Sequence, residues 1–320
     1  MTSLPKTGLA PIVHKKIISL PTPHSSAEIL RNLENAVRLG SHKKSTHYNK
    51  FGSYKISLGP NHLLPIKFDF LLLQIENFNK NPQILNKIKK LSHHNIMNNY
   101  GYFLNGEYLY LVFDYAGSDL RTLISKGLKT HHKLIKAIVF QILLALQYLH
   151  QDEISYLNLS DSNVTITHSG TVKLIHPTAL KLGWLDSFSP SKKNKHTWQS
   201  PEQSLNKDDS FSFKSDIFSL GLLLYKSYYG KELVKKFKNP QERVEKLIRR
   251  CKRLNQQKSE YSGRTQDFLS FLTMCLSVKS HLRAFPSELL EHKWLQPIRD
   301  LRDPHRISRF TKKYLRDLLG

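Results

Sequence analysis

The sequence predicts an α+β protein, with strands concentrated in the first third of the chain and helices in most of the remainder. Residues 48–70 and 107–115 have the patterns of strands. From His131 to His150, apolar side chains recur at three- and four-residue spacing, which is typical of an amphipathic helix. Two short strand-like runs then flank the turn His168-Ser169-Gly170, which predicts a hairpin over residues 159–175.

The length and composition fit a globular protein with a sizeable core. The chain has 320 residues, of which 39% are hydrophobic and 10% aromatic. No run of about 18 apolar residues indicates a membrane span, and the N-terminus lacks the continuous apolar segment of a secretory signal. Cys251 and Cys275 provide neither a disulfide framework nor a metal cluster. We therefore expect an intracellular protein, cytoplasmic or nuclear, without a transmembrane segment or a metal site.

The formal net charge of +24 is the most unusual feature of the composition. Such an excess of positive charge attracts acidic proteins, nucleic acid or anionic lipid over a Debye length of roughly 10 Å. Because the lysines are spread through most segments, the alternative is that they only solvate the surface. The sequence leaves both alternatives open.

The N-terminal region is predicted to precede the main domain. Residues 1–24 contain four prolines among Lys and Ser residues, which predicts a disordered tail. Ser25-Ser26-Ala27-Glu28 has the pattern of a capping box, and an apolar helix face follows it as far as Gly40. We assign residues 25–47 to a helix and a linker. This helix is expected to pack on the following domain, or else to dock a partner.

The segment from Tyr156 to Thr178 resembles the catalytic loop of protein kinases, whose pattern is H-R-D-L-x-x-x-N followed by D-F-G. Further motifs resemble kinase landmarks and occur in the family's order: L-S-H-H-N-I at 91–96, W-Q-S-P-E at 198–202 and S-D-I-F-S-L-G at 215–221. The chain is therefore identified as a member of the protein kinase superfamily over residues 50–297. The resemblance implies a bilobal fold, with a small β-rich N-lobe and a larger, mainly helical C-lobe.

This resemblance also sets the domain boundaries. It assigns residues 48–297 to a protein-kinase-like domain, with the N-lobe at 48–115 and the C-lobe at 116–297. Residues 298–320 carry Arg and Lys at short intervals. We expect them to form a basic C-terminal tail that could be a docking segment.

Both carboxylates that active kinases use for catalysis are replaced in this sequence. Tyr156-Leu157-Asn158 stands where the family has H-R-D, and His176-Pro177-Thr178 stands where it has D-F-G. The resemblance implies that the first Asp would accept a proton from the substrate hydroxyl and that the second would hold magnesium. The Asn158 amide has no basic lone pair, and the His176 imidazole is a poor ligand for a hard cation. We therefore assign no catalytic residue and expect a pseudokinase.

An enzyme of altered mechanism is the alternative. In that case Asp161 or His176 would take over the role of a missing carboxylate, and weak ATP-dependent phosphotransfer to Ser or Thr would survive. Asp161 stands three residues beyond the expected base. Its side chain would therefore have to reach across the loop.

The positions that would bind a nucleotide are only partly retained. Lys67 resembles the phosphate-pairing lysine of V-A-I-K. Asp119 matches a ribose-contacting acid, or else caps the helix that follows it, and Asn163 matches a metal ligand, or else braces the loop. Pro65 and Thr165 replace residues that would lie against adenine. We expect no cofactor; weak ATP binding without ordinary magnesium coordination is the alternative.

Three further positions match residues that hold the large lobe together in the family. The resemblance implies that Asp216 holds the backbone of the catalytic loop and that Arg283 pairs with Glu202. Because breaking a buried ion pair costs roughly 3–5 kcal/mol, their retention suits a scaffold. We therefore expect a regulatory signalling protein that binds a protein partner, such as an active kinase, as scaffold or allosteric partner. An acidic or nucleic-acid partner is the alternative that the net charge suggests.

Overall fold

The computed structural model describes residues 31–34, 43–44, 53–58, 68–75, 91–105, 108–114, 117–157, 159–175, 198–204, 213–230, 242, 244–249 and 262–319. These residues form a five-stranded antiparallel sheet, a second sheet of three short strands and a mainly helical body. This arrangement confirms the predicted α+β bilobal fold.

The five-stranded sheet forms the small lobe. Its order is β1-β2-β3-β5-β4, and every neighbouring pair is antiparallel. The strands are β1 (Lys43–Lys44), β2 (Ser53–Leu58), β3 (Phe68–Ile75), β4 (Asn99–Asn105) and β5 (Tyr108–Asp114).

The sheet begins earlier than the sequence predicts. β1 lies within residues 25–47, which were assigned to a helix and a linker, and it pairs with Tyr54 and Lys55 of β2. A two-residue edge strand made of lysines has no apolar alternation, so its pattern cannot indicate a strand. Residues 31–34 are helical, as predicted, and Leu33 is buried.

The large lobe is built around one long helix. The helices are α1 (Leu120–Ser125), α2 (His132–Gln151), α3 (Pro201–Ser204), α4 (Phe213–Tyr229), α5 (Ser262–Cys275), α6 (Pro286–Leu290), α7 (Gln296–Arg299) and α8 (Pro304–Leu319). Helix α2 confirms the predicted amphipathic helix and contacts α4, α6 and α8. By length and composition α2 could cross a membrane, but 67% of its most apolar window is buried inside the fold. We therefore assign it to the core.

The predicted hairpin is confirmed. It consists of β7 (Val164–Ile166) and β8 (Val172–Leu174), and β6 (Ser118–Asp119) adds a third strand beside β7. Gly170 in the turn has φ +85°, a left-handed conformation that glycine adopts without steric cost. An isolated parallel bridge between Ile96 and Leu174 joins this hairpin to the segment that leads into β4.

Residues 298–320, which the sequence assigns to a basic C-terminal tail, are largely helical. Most of them belong to α8, which packs on α2 and on the hairpin. Ile307, Thr311 and Leu315 recur every four residues and are buried, whereas most of the basic side chains lie on the opposite side. The amphipathic spacing therefore drives docking of this helix despite its charge.

One buried glutamine connects these parts. The Gln141 side-chain oxygen accepts hydrogen bonds from Asn95 Nδ2 at 3.0 Å and from the Val172 backbone N–H at 2.9 Å. Its side-chain nitrogen donates to Thr311 Oγ1 at 3.0 Å and to the Gly170 carbonyl at 3.3 Å. Helix α2, the hairpin, the segment before β4 and α8 therefore share one hydrogen-bond network.

Candidate functional site

The segment 156–163, which matches the kinase catalytic loop, is anchored by Asp216 at the start of α4. The fully buried Asp216 carboxylate accepts hydrogen bonds from the Tyr156 N–H at 2.8 Å and from the Leu157 N–H at 2.6 Å. His150 Nε2, at the end of α2, lies 2.9 Å from the same carboxylate. The structure thus brings Asp216 to the loop backbone that the resemblance assigned to it.

Leu157 has an unusual backbone conformation at this anchor. Its φ is +62°, which branched and bulky residues adopt only where the surroundings enforce it. The hydrogen bond from its N–H to Asp216 supplies part of that constraint. In this chain the strain lies at the position where active kinases carry the Arg of H-R-D.

Asp161 is held in the interior by two ion pairs. Its Oδ1 lies 3.1 Å from Arg121 Nη2, its Oδ2 lies 2.7 Å from Lys226 Nζ, and its side chain is fully buried. The Asp161 carbonyl also accepts the Arg121 N–H at 2.9 Å. To reach a substrate hydroxyl, the carboxylate would have to leave both ion pairs.

Asn163 connects the loop to the hairpin. It is 2% exposed, its N–H donates to the Ser160 carbonyl at 3.1 Å, and its carbonyl accepts the Ile175 N–H at 3.1 Å. These backbone bonds fit the bracing role considered for this residue. Its assignment as a metal ligand stays a prediction.

Two positions on the hairpin side that the resemblance aligns with the nucleotide pocket, Asp119 and Thr165, have local partners. Asp119 caps α1, since its carboxylate accepts the Thr122 N–H at 2.8 Å, as the capping alternative predicted. The buried Thr165 hydroxyl donates to the Lys173 carbonyl at 3.0 Å. A role of Asp119 at a ribose stays a prediction.

Several predicted positions lie outside the described residues. They are Lys67, Asn158, His176, Pro177 and Thr178. Among the described residues, no group of three His, Cys, Asp or Glu side chains could hold a metal ion. Asn163 keeps the amide that the family uses at one magnesium position, whereas the other position is His176, whose imidazole is a poor ligand for a hard cation.

An ion pair behind the end of β5 was not predicted from the sequence. Lys173 Nζ lies 3.3 Å from Asp114 Oδ2 and donates to the Ile96 carbonyl at 3.2 Å. Asp114 also accepts the Asn98 N–H at 2.7 Å. Burial raises the pKa of Asp114, and this effect outweighs the opposing effects of Lys173 and the backbone hydrogen bonds. A single lysine within the apolar run of β8 is the sequence signal that indicates such a pair.

Glu202 and Arg283 form a buried ion pair far apart in sequence. Arg283 Nη1 and Nη2 lie 2.6 and 2.8 Å from the two Glu202 oxygens, and the Ser215 hydroxyl donates to Glu202 at 2.7 Å. Burial acts to raise the pKa of Glu202, but the hydrogen bonds and charge of Arg283 outweigh it and lower the pKa to about 2. The structure therefore brings together the two residues that the resemblance paired.

Comparison with protein families shows which family the chain belongs to. The family model of the protein kinase domain matches residues 74–295, which is more than half of the chain. The chain belongs to the protein kinase family. This kinase domain is 34% identical over 158 residues to serine/threonine-protein kinase RUNKEL of Arabidopsis thaliana, a match that covers 48% of the chain and 11% of that protein.

Other relatives of the kinase domain have similar names. It is 28% identical over 215 residues to mitogen-activated protein kinase kinase kinase 2 of Arabidopsis thaliana, covering 65% of the chain and 32% of that protein. It is 26% identical over 231 residues to serine/threonine-protein kinase KIC1 of Saccharomyces cerevisiae, a match that covers 70% of the chain and 20% of that protein. The kinase domain thus spans about a third or less of these relatives.

Proposed function

We propose that this kinase domain is a pseudokinase that acts inside the cell as a scaffold or allosteric partner of another signalling protein. The observation that carries the proposal is the replacement of both catalytic carboxylates, by Asn158 and His176, in a chain that keeps the large-lobe framework. The anchor at Asp216 and the pair between Glu202 and Arg283 belong to that framework. The carboxylate nearest in the loop, Asp161, supports the proposal because both of its oxygens are in ion pairs.

The test is a titration of the purified chain with ATP, alone and with magnesium or manganese, followed by direct binding and thermal unfolding. A ligand at 100 times its dissociation constant stabilises the folded state by about 2.7 kcal/mol. We expect no metal-dependent shift and no transfer of labelled phosphate to a generic Ser/Thr substrate. A metal-dependent shift together with phosphotransfer would contradict the proposal.

The second candidate is a weak Ser/Thr kinase of altered mechanism, which the names of the relatives favour. In that case His176→Ala should abolish phosphotransfer without changing the thermal melt. Loss of activity together with a lower melting temperature in Asp161→Asn would instead indicate a structural role for Asp161.

Partner regulation is tested separately. The activity of a candidate partner kinase is measured with and without this chain, and with the Lys67→Ala variant. Under the proposal, the wild-type and variant chains change the partner's activity to the same extent, because regulation does not require a contact between Lys67 and the phosphates of a nucleotide. Loss of the effect in a stably folded Lys67→Ala chain would mean that nucleotide binding takes part in regulation.

A further inference from the structure

Helix α8 presents an exposed row of four cations. Arg306, Arg309, Lys313 and Arg316 are exposed and follow one another at three- and four-residue spacing, so they lie along one face. At 1.5 Å per residue they extend over about 15 Å. Lys133 of α2 is also exposed. It lies beside Lys313, because the Nζ atoms of the two lysines are 5.7 and 5.8 Å from the centre of the Tyr314 ring. We call these five side chains the basic surface.

No ion pair neutralises the basic surface within the described residues. Within the described part of the chain, none of its five members forms an ion pair with a carboxylate. The one carboxylate within α8 is Asp317, exposed near its C-terminal end. Lysine is far more frequent than arginine in the chain as a whole, yet three of the four members on α8 are arginines. Arginine binds phosphate and carboxylate oxygens through two parallel N–H donors, which lysine cannot do.

The opposite face of α8 is occupied by the rest of the molecule. Ile307 and Leu315 are buried, and Thr311 is bonded to Gln141. An amphipathic helix binds a bilayer by burying its apolar face at the headgroup boundary. Helix α8 would have to leave the core to do so, which disfavours a membrane as the partner.

A protein partner is disfavoured by the composition of the surface. Protein–protein interfaces have an apolar or aromatic centre, in which arginine is enriched but lysine is depleted. The basic surface has no apolar member, and the neighbouring Phe310 and Tyr314 are packed against the core. Interfaces with nucleic acid are more polar and much more positively charged. The net charge of +24 adds a long-range attraction for a polyanion.

We propose that the basic surface binds the phosphate backbone of nucleic acid. Its side chains contact phosphates, which carry no sequence information, so binding is independent of sequence. Each phosphate contact releases counterions, so affinity falls steeply as salt rises.

The test measures fluorescence anisotropy of the whole purified chain with a labelled DNA duplex and a labelled single-stranded RNA, between about 50 and 200 mM salt. The variant of the basic surface, called the stripe variant, is Arg306→Gln, Arg309→Gln, Lys313→Gln. The control variant is Lys126→Gln, Lys279→Gln, Lys293→Gln, which removes the same charge from exposed lysines on other elements. All of these positions are exposed, and thermal melts check that both variants fold.

The proposal predicts tight binding by the wild type and a weakening of about tenfold or more in the stripe variant. The slope of log affinity against log salt should fall by about 1 for each lost phosphate contact, hence by about 3. The control variant should stay within about twofold of the wild type. Asp317→Asn should bind more tightly, because it removes the one carboxylate of α8.

Three results would overturn the proposal. Equal weakening in the stripe and control variants would mean that only net charge acts. Stripe-dependent binding to phosphatidylserine vesicles with no binding to either nucleic acid would assign the surface to a membrane. Binding of polyglutamate as tight as that of the nucleic acids, and equally sensitive to the stripe variant, would assign it to an acidic protein.

Discussion

Three single carboxylates hold the large lobe together, each buried with its own set of donors. Asp161 pairs with two cations, Asp216 accepts two backbone N–H groups, and Glu202 receives the two-pronged contact of Arg283. Buried charges are tolerated only with such partners, and removing one partner leaves the other uncompensated. Each carboxylate is therefore a point at which one substitution should affect the whole lobe.

Glu202 gives a prediction about pH. Its pKa is about 2 in the folded chain against an ordinary 4.5, so the ionised form stabilises the fold above about pH 4.5. A shift of this size corresponds to about 3 kcal/mol, which is lost as pH falls from about 4.5 towards 2. We expect the difference in unfolding free energy between wild type and Glu202→Gln to shrink over that range. A constant difference, measured by denaturant melts at each pH, would contradict this assignment.

Asp216 gives a prediction about the loop. In Asp216→Ala the Tyr156 and Leu157 N–H groups lose their acceptor, and each such loss costs about 1–3 kcal/mol. We expect a stability decrease of about 2–6 kcal/mol and faster amide exchange at these two residues. The matched control is the exposed Asp300→Ala, which should change the melting temperature little. Equal melts for both variants would show that the anchor does not stabilise the loop.

The sequence predicted some of these residues and not others, for a physical reason. Glu202, Asp216 and Arg283 stand within motifs that resemble those of the kinase family, and the resemblance implied their roles. Asp161, in the loop, has partners on two helices, Arg121 and Lys226, 40 and 65 positions away. Such pairs depend on how helices pack, and no local pattern specifies that packing.

The hairpin and α8 are in close backbone contact at one glycine, Gly170. A Cβ on Gly170 would overlap the Ser308 carbonyl and the Lys312 backbone nitrogen, and the φ of +85° disfavours any side chain. Thr171 and Ser308 hydroxyls lie 3.2 Å apart across the same contact. The close approach of two backbones is therefore possible only without a side chain.

Gly170→Ala should undock α8. We expect a cost of about 1–3 kcal/mol from backbone strain and a further ~1–3 kcal/mol from the overlap. Gly127→Ala is the control, since Gly127 has φ +99° and nothing within 4 Å of the added Cβ. The excess loss in Gly170→Ala, measured by chemical unfolding and by protease access to α8, reports the contact alone. Equal losses in the two variants would contradict this role of Gly170.

Elements with strong periodicity were predictable and short or mixed ones were not. Helix α2 and the hairpin follow their patterns closely, because the helix has apolar residues at helical spacing and the hairpin has a turn that contains Gly170. In α8 the apolar spacing is present, but the high density of Arg and Lys indicates a solvated tail when no partner face is known. Its docking depends on Gln141 and Gly170, which lie more than 100 residues earlier.

For the whole molecule, the charge of +24 opposes the compact state through self-repulsion. Raising the ionic strength from about 0.1 M to 1 M shortens the Debye length from about 10 Å to about 3 Å and screens that repulsion. We expect the melting temperature to rise with sodium chloride, and to rise less in the two triple Gln variants. The buried ion pairs are screened much less and should not reverse the trend. A melting temperature that falls with salt would contradict this prediction.

The docking of α8 also has a consequence for how the chain is made. Gln141 and Thr311 are 170 residues apart, which a ribosome takes roughly 10–30 s to translate at 5–20 residues per second. During that interval helix α2 has been synthesised, but the side of α2 that packs against α8 is still uncovered. Helix α8 can therefore dock only after Leu315, the last buried residue of its docked side, has left the exit tunnel. Ribosome stalling before Pro304 should trap a protease-sensitive lobe.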